Sequence, residues 1–169
     1  MTREPSPPPF DFNTPSGVEH GKPHAFDPST VVVDPSPIPS YRQVCVTPIK
    51  LSSKIITVAG QSGVQSDGTF PFDIRMQARY AHLSVHACLK AAGATLRDII
   101  HVRHYIVIKT GNAIDDVTDI GGRGLTEVWR CFMDGEGGDH RPPSTVIGVA
   151  SLSKEEMLYE CEVMALVHA

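Results

Sequence analysis

The chain has 169 residues, of which 41% are apolar and 20% charged, and this composition fits one domain with a buried core. Its 15 Lys and Arg residues against 19 Asp and Glu residues give a net charge of -4, which argues against the basic surface of a nucleic-acid-binding protein. No apolar run approaches the roughly 20 residues of a membrane span. MTREPSPPPF also lacks the apolar segment of a signal peptide, so we expect a cytoplasmic protein without nucleic-acid or membrane partners.

The first 40 residues are rich in proline and carry no regular pattern. Ten of the 14 prolines fall there, which argues against a helix or strand of any length. We therefore assign an N-terminal arm to residues 1–37 and a folded domain to residues 38–169. The arm is either extended or docked on the domain or on a neighbouring subunit. Partial docking is favoured by its apolar residues, Phe10, Phe12, Phe26 and the valines at 31–33.

The next segments predict a strand pair and a long helix. The segment YRQVCVT alternates polar and apolar residues, and KIITVAGQ is rich in β-branched and apolar residues. Because turn residues separate the two segments, they predict a hairpin. FDIRMQARYAHLSVHACLKAAG has helical periodicity and ends at Gly93, a residue suited to a helix C-terminus. The predicted buried face of this helix consists of Ala78, His82, Val85, Leu89 and Ala92.

The second half of the chain adds a strand, a broken helix and two final strands. The segment TLRDIIHVRHYIVIKT has apolar residues on both of its alternating faces, which predicts a strand that is covered on both sides. NAIDDVTDIGGRGLTEVWRCFMD reads as a helix interrupted by its glycines, with Trp129 and Phe132 as core or subunit contacts. STVIGVASL and EMLYECEVMALVHA are the last two strands. The order β-β-α-β-α-β-β predicts an α+β fold with one sheet packed on two helices.

Histidine and cysteine raise the question of a metal site. His82 and His86 stand one helical turn apart, but no third ligand has suitable spacing, so we expect a structural His82 and a solvated His86. His101 and His104 occupy opposite faces of a strand, where a packed or surface role is favoured over acid-base chemistry in a cleft. The four cysteines lack CxxC spacing and predict reduced thiols in the core. We therefore predict no metal and no cofactor.

Five segments in this order resemble the Rid family, also called YjgF-like. They are IPSYRQVCV, IITVAGQSG, QARYAHLSVHACLKAAGATLRDII, RPPSTVIGVASL and ECEVMALV, and the resemblance covers residues 38–169. It implies a chorismate-mutase-like fold and a homotrimer with an active cleft between each pair of subunits. It also implies a metal-free enzyme of the kind that hydrolyses 2-imino acids to 2-keto acids and ammonia.

The resemblance assigns two catalytic residues. Tyr41 stands at the family's site tyrosine, and Glu160 matches the carboxylate that positions or activates the water. Glu162 shares the face of Glu160 on the last strand, and neighbouring carboxylates are a pattern of general acid-base catalysis. The alternative is that one or both are solvated charges on an exposed strand. The role of Glu162 therefore stays open.

The substrate-binding positions depart from the family pattern. Ser144, in the run PPST at residues 142–145, replaces the arginine that holds the substrate carboxylate, and serine cannot form its bidentate charged pair. Arg141 lies three residues upstream, but two prolines fix an extended path that limits its reach into the cleft. The other positions carried over are Ala59, Gly60, Leu125 and Val146, and the predicted pocket is less polar than the family's.

A retained acid-base pair beside a lost carboxylate clamp predicts an enzyme for a reactive, largely uncharged imine, enamine or enol. Hydrolysis, tautomerisation or cyclisation in a dedicated biosynthetic pathway would suit this substrate, with backbone N–H groups near Gly60 stabilising developing negative charge. Two alternatives remain. One is a conventional 2-imino acid deaminase in which Arg141 replaces the clamp, and the other is a non-catalytic trimeric binding or scaffold protein.

Overall fold

The computed structural model describes residues 22–29, 31, 40–138 and 140–168. Its strands are β1 (His24–Phe26), β2 (Val44–Val46), β3 (Ser53–Ser62), β4 (Ile99–Val107), β5 (Ser144–Val149) and β6 (Tyr159–His168). Its helices are α1 (Ile74–Ala91), α2 (Ala113–Val117) and α3 (Leu125–Glu136), with 3-10 turns at Leu96–Asp98 and Ile120–Gly122. Among the helices of these residues, none combines the length and the apolar character that crossing a bilayer requires.

Four strands form the main sheet, in the order β3-β6-β4-β5. The pairs β3-β6 and β6-β4 are antiparallel, and β4-β5 is parallel. Helices α1 and α3 bury one face of this sheet, and the core there includes Ile74, Val85, Leu89, Trp129 and Met133. A mixed sheet packed on two long helices confirms the predicted α+β fold.

The predicted hairpin between the first two segments is wrong. Strand β2 does not pair with β3 but with β1, in the register His24↔Val46 to Phe26↔Val44. Strand β3 instead pairs with β6 from Ser53 to Ser62, with one irregularity between Val58 and Gln61. The local turn signal was present, because Ser53 N–H donates to the Lys50 carbonyl, but long-range pairing with the buried C-terminal strand determines the partner of β3.

Part of the predicted arm therefore belongs to the fold. Phe26 lies in β1. Before this strand, Lys22 forms an ion pair with Asp98 at 2.6 Å, and directly after it Asp27 forms an ion pair with Arg42 at 2.7 Å. These contacts agree with partial docking of the arm on the domain. Phe10, Phe12 and the valines at 32 and 33 lie outside the described residues.

Helix α1 has the ends that its sequence predicts. The Asp73 side chain accepts the N–H groups of Arg75 and Met76, and Gly93 adopts φ +77° after the last turn. The N–H of Ala94 donates to the Leu89 carbonyl and that of Gly93 to the Lys90 carbonyl, which is the Schellman pattern. The predicted burial of Ala92 is wrong: the helix ends at Ala91, so Ala92 no longer lies on the buried helical face and is exposed.

A buried amide joins this helix to the start of β6. The Gln77 amide donates to the carbonyls of Pro71 and Glu156, and its oxygen accepts the N–H of Leu158. Gly63 packs directly on Gln77: a Cβ at Gly63 would lie 2.6 Å from the Gln77 Cβ and closer to its Cα. The glycine therefore sets the distance between the end of β3 and helix α1.

Gly63→Ala should destabilise the domain, because the obstructing atoms are helix backbone that cannot rotate away. Overpacking of this kind costs roughly 1 to 3 kcal/mol. We expect a lower urea midpoint with an unchanged slope. Gly135→Ala is the matched control, since an added Cβ there meets nothing within 4 Å. Equal midpoints for both variants would contradict this packing argument.

Candidate functional site

A cavity of about 210 Å³ opens at the β5 edge of the sheet, between this strand, the start of α3 and residues 40 and 41. We call it the edge pocket. It brings together four predicted site positions: Tyr41, Leu125, Ser144 and Val146. The rest of its wall consists of Ser40, His104, Ile106, Ile120, Gly121, Thr126, Trp129 and Tyr159.

Strand pairing explains why Ser144 and Val146 point into this pocket. Val146 pairs with His104 and Ser144 with Val102 in the parallel register of β5 on β4. Paired residues share a face of the sheet, so both side chains lie on the face that the helices cover. Tyr41 is held nearby because Arg42 N–H donates to the Arg141 carbonyl, just before β5 begins.

Among the described residues, no Lys, Arg, Asp or Glu side chain lines the edge pocket. Arg141, the predicted substitute for the missing clamp, is only 9% exposed. Its guanidinium binds the Asp134 carboxylate and donates to the carbonyls of Gly138 and His140. Arg123 is likewise buried, and it donates to the carbonyls of Val107, Ile108 and Thr118. Both cations are engaged in holding loops.

The other predicted residues form a second group on the opposite face of the sheet. Glu160 follows the pocket residue Tyr159 and so points to the other side. It lies against Gly60, where a Cβ would be 2.7 Å from the Glu160 Cγ and closer to its carboxylate. The register of β3 on β6 shifts between Val58 and Gln61, and this irregularity brings Gly60 to the carboxylate. Ala59 is exposed beside it.

Glu162 has partners on the neighbouring strand. It accepts from Arg103 at 2.7 Å and from the Tyr105 hydroxyl at 3.0 Å. We call the side of the sheet that carries Arg103, Tyr105, Glu160 and Glu162 the open face, since no helix of the described residues covers it. The shared face of the two carboxylates is as predicted, but Glu162 is a member of an ion pair. Within one chain, Glu160 and Tyr41 lie on different faces of the sheet.

The back wall of the edge pocket contains a network that sequence reasoning missed. The Tyr159 hydroxyl lies 2.8 Å from His82 Nε2 and 2.5 Å from His104 Nδ1, and all three side chains are buried. We call this the hydroxyl network. Burial lowers the pKa of His104 to about 4 and that of His82 well below its usual value, helped there by His104. Burial also raises the pKa of Tyr159 well above its usual value.

His82 was correctly predicted as a buried structural residue, and His86 is half-buried beside Phe132. The sequence contained only a partial indication of this network. The strand pattern places His104 on an apolar face, and Tyr159 points to the face opposite Glu160. Nothing local indicates that these side chains meet. All four cysteines are free, as predicted. Cys161 is buried, which raises its pKa to about 12, and Cys88 is partly buried against the core, whereas Cys131 is exposed.

One group of residues resembles a metal site. His82, His104 and Cys161 each offer a ligand atom, and these atoms lie within 4.8 Å of one another. The Tyr159 hydroxyl already bridges the two histidines. His82 Nδ1 is buried without a partner, whereas a metal-bound histidine almost always donates its other N–H to an acceptor. The arrangement fits a hydrogen-bonded network better than a metal centre.

The chain is similar to known proteins in sequence and in fold. The family model described as Endoribonuclease L-PSP matches residues 32–167. The RutC family protein YjgH of Escherichia coli is 43% identical over 54 residues, which are 32% of this chain and 41% of that protein. The matched segment thus spans less than half of this relative.

Solved structures extend the likeness to most of the domain. Rv2704 of Mycobacterium tuberculosis, a member of the YjgF family, is 30% identical with a TM-score of 0.51, over 67% of this chain and 79% of its own. YyfB of Yersinia pestis, of the Rid protein family, shares the fold with a TM-score of 0.66 at 22% identity, over 85% and 98% of the two chains. The chain belongs to the Rid, or YjgF-like, family.

The hydroxyl network should make stability depend on pH. Because the folded pKa of His104 is about 4 and the ordinary value is 6.5, the unfolded chain binds the extra proton between these values. Stability is therefore full above about pH 6.5 and falls as the pH is lowered towards 4, by about 3 kcal/mol for His104 alone. Urea unfolding between pH 7 and pH 4 measures this slope.

His104→Asn should flatten the slope, whatever its effect on stability at pH 7. His86→Asn, outside the network, is the control and should leave the slope as it is in the unaltered chain. A slope that His104→Asn does not change would show that this histidine is not buried in its neutral form.

Proposed function

We propose that this chain is a Rid-fold enzyme acting on a reactive, largely uncharged imine, enamine or enol, by hydrolysis, tautomerisation or cyclisation. The observation that carries the proposal is the absence of a charged side chain from the described wall of the edge pocket. A carboxylate entering there would lose its hydration without gaining a cation, at a cost of several kcal/mol. The apolar and hydroxyl side chains around Ser144 suit an uncharged ligand.

The proposed chemistry is clearest for hydrolysis of an imine. Water adds to the C=N carbon, its proton passes to a base, the nitrogen gains a proton, and collapse of the adduct releases a carbonyl compound and ammonia. A carboxylate such as Glu160 is suited to take the proton from water, and a phenol such as Tyr41 to hydrogen-bond the nitrogen. No metal is required for these steps.

The position of Glu160 makes this proposal depend on assembly. Glu160 lies on the open face and Tyr41 in the edge pocket, so one chain does not bring the two together. In the proposed cytoplasmic homotrimer, the Glu160 carboxylate of one subunit meets the edge pocket of the next. The half-buried charges of the open face, Arg103 and Glu162 among them, are then covered by the neighbouring subunit.

Both alternative functions have less support. A conventional 2-imino acid deaminase needs a cation at the pocket, and the Arg141 guanidinium is directed at Asp134 and backbone carbonyls instead. A non-catalytic trimeric binding or scaffold protein has less support because it leaves the retained phenol of Tyr41 and carboxylate of Glu160 without a role. A phosphodiester substrate, as the family model's description suggests, would also lack a cationic partner at this pocket.

The deciding assay measures ammonia release from acetophenone imine and, separately, from 2-imino acids generated in situ. We expect acceleration of the uncharged imine and little of the acids. Glu160→Gln and Tyr41→Phe should each lower kcat at least 100-fold, in line with the loss of a general acid or base. Gly135→Ala serves as the control, since Gly135 does not line the edge pocket and an added Cβ there meets nothing within 4 Å. Full activity in Glu160→Gln and Tyr41→Phe would refute the proposed roles.

Ser144→Arg should restore acceptance of charged substrates. A guanidinium at the pocket rim would pair with a carboxylate, and a charged hydrogen bond of about 1.5 to 3 kcal/mol corresponds to about 10- to 100-fold. We expect kcat/KM for 2-imino acids to rise by that factor, while Ser144→Gln, long but uncharged, gives no rise. Equal effects of Arg and Gln would contradict the charge argument.

A further inference from the structure

The hydroxyl network fixes the protons of its two histidines. A hydroxyl has one proton to donate, and O–H donors form shorter hydrogen bonds than N–H donors. The 2.5 Å contact therefore assigns the Tyr159 proton to His104 Nδ1, and the 2.8 Å contact makes His82 Nε2–H a donor to the Tyr159 oxygen. The opposite assignment would place a proton on His82 Nδ1, which is buried without an acceptor.

This assignment leaves His104 with its proton on Nε2. Among the described residues, Nε2 of His104 has no hydrogen-bond partner and is not one of the atoms sealed from solvent. Because His104 lines the edge pocket, this N–H is a donor available to a bound molecule. Within one chain, the described groups packed around it are neutral: Tyr159 and Cys161 of β6, His82 of α1 and Trp129 of α3. In the proposed trimer, the Glu160 carboxylate of the neighbouring subunit joins them.

Trp129 provides a second and independent sign of a ligand. Its side chain lines the same pocket and is 3% exposed, yet Nε1–H is buried without an acceptor in the described part of the chain. A buried unpaired donor costs about 1 to 3 kcal/mol, and an acceptor supplied by a ligand would remove that cost. Two residues that carry neutral N–H donors, His104 and Trp129, thus line one cavity.

We propose that His104 is a catalytic residue of the edge pocket, where its Nε2–H binds the carbonyl oxygen of an enamine conjugated to that carbonyl. Tyr159 and His82 are positioning residues that hold the imidazole neutral and in this tautomer. The assignment rests on the proposed function and narrows its substrate class. Neutral donors select an uncharged oxygen acceptor, which a simple imine lacks and a conjugated enaminone has.

The chemistry shows why such a donor accelerates hydrolysis. Water adds to the carbon that bears nitrogen, and the C=C electron pair moves to the carbonyl, leaving negative charge on its oxygen. His104 Nε2–H stabilises that oxyanion without transferring its proton. The nitrogen then takes up the proton released by the water, the electron pair returns from the oxygen, and ammonia leaves. The net reaction converts an enaminone and water to a dicarbonyl compound and ammonia.

The test uses the full chain with the enaminone formed from dimedone and ammonia, followed by release of dimedone. His104→Asn keeps an acceptor for the Tyr159 proton but removes the pocket donor, so kcat should fall about 100-fold. His104→Gln restores an amide N–H and should recover about tenfold of this loss. Acetophenone imine has no oxygen acceptor, so in His104→Asn its kcat should fall by a smaller factor than the kcat for the enaminone. Gly135→Ala, which does not line the edge pocket, is the control that should leave both values unchanged. Tyr159→Phe should lower kcat while leaving KM within about twofold.

Each other outcome overturns a defined part of the proposal. Full kcat on the enaminone in a folded His104→Asn refutes the role of His104 and leaves the proposed function standing. Acceleration of acetophenone imine but not of the enaminone refutes the substrate class. Acceleration of 2-imino acids alone, or of none of the three, refutes the proposed function as well. Where the variants do not fold, nitrogen NMR of the unaltered protein decides, and a proton on His104 Nδ1 overturns the assignment.

Discussion

The edge pocket and the carboxylates of the open face both depend on strand β6, which lies between β3 and β4 in the sheet and whose side chains alternate between the two faces. Because adjacent residues of a strand point to opposite faces, Tyr159 and Cys161 enter the helix-covered core while Glu160 and Glu162 lie on the open face. A shift by one residue would bury the carboxylates against α1 and expose the tyrosine. The register with β3 and β4 therefore fixes the pocket wall and the carboxylates in a single step.

The helix-covered side of the sheet is unusually polar for a core. His82 and His104 both hydrogen-bond to the Tyr159 hydroxyl there, and these contacts form without any of the three carrying a charge. Buried polar groups that are hydrogen-bonded cost little, whereas a buried charge needs a charged partner or several dipoles. The buried arginines have such partners away from the pocket: Arg123 donates to three backbone carbonyls, and Arg141 binds the Asp134 carboxylate. The result is a cavity whose donors are neutral.

Pairing between strands shows where local reasoning failed. The segment around Val44 carries a good strand pattern, yet its partner is His24–Phe26, which proline-rich surroundings made a poor candidate. The neighbouring strand β3 takes β6 as partner across more than 100 residues of sequence, since Ser53 pairs with His168. Turn propensity identifies that a chain reverses, but the buried apolar surface determines which strands meet.

Except for β1, the sequence by itself determined the types of the main strands and helices and both ends of α1, because hydrophobic period, helix capping and glycine conformation are local properties. Asp73 and Gly93 at the ends of α1 are examples. The convergence of Tyr41, Leu125, Ser144 and Val146 also followed from sequence, through the family resemblance. Only the tertiary structure placed Arg141 on Asp134, because these residues are seven apart across a loop without a regular pattern. It also joined His82 and His104 to Tyr159, because hydrogen bonds between residues 77 and 55 positions apart leave no local pattern to read.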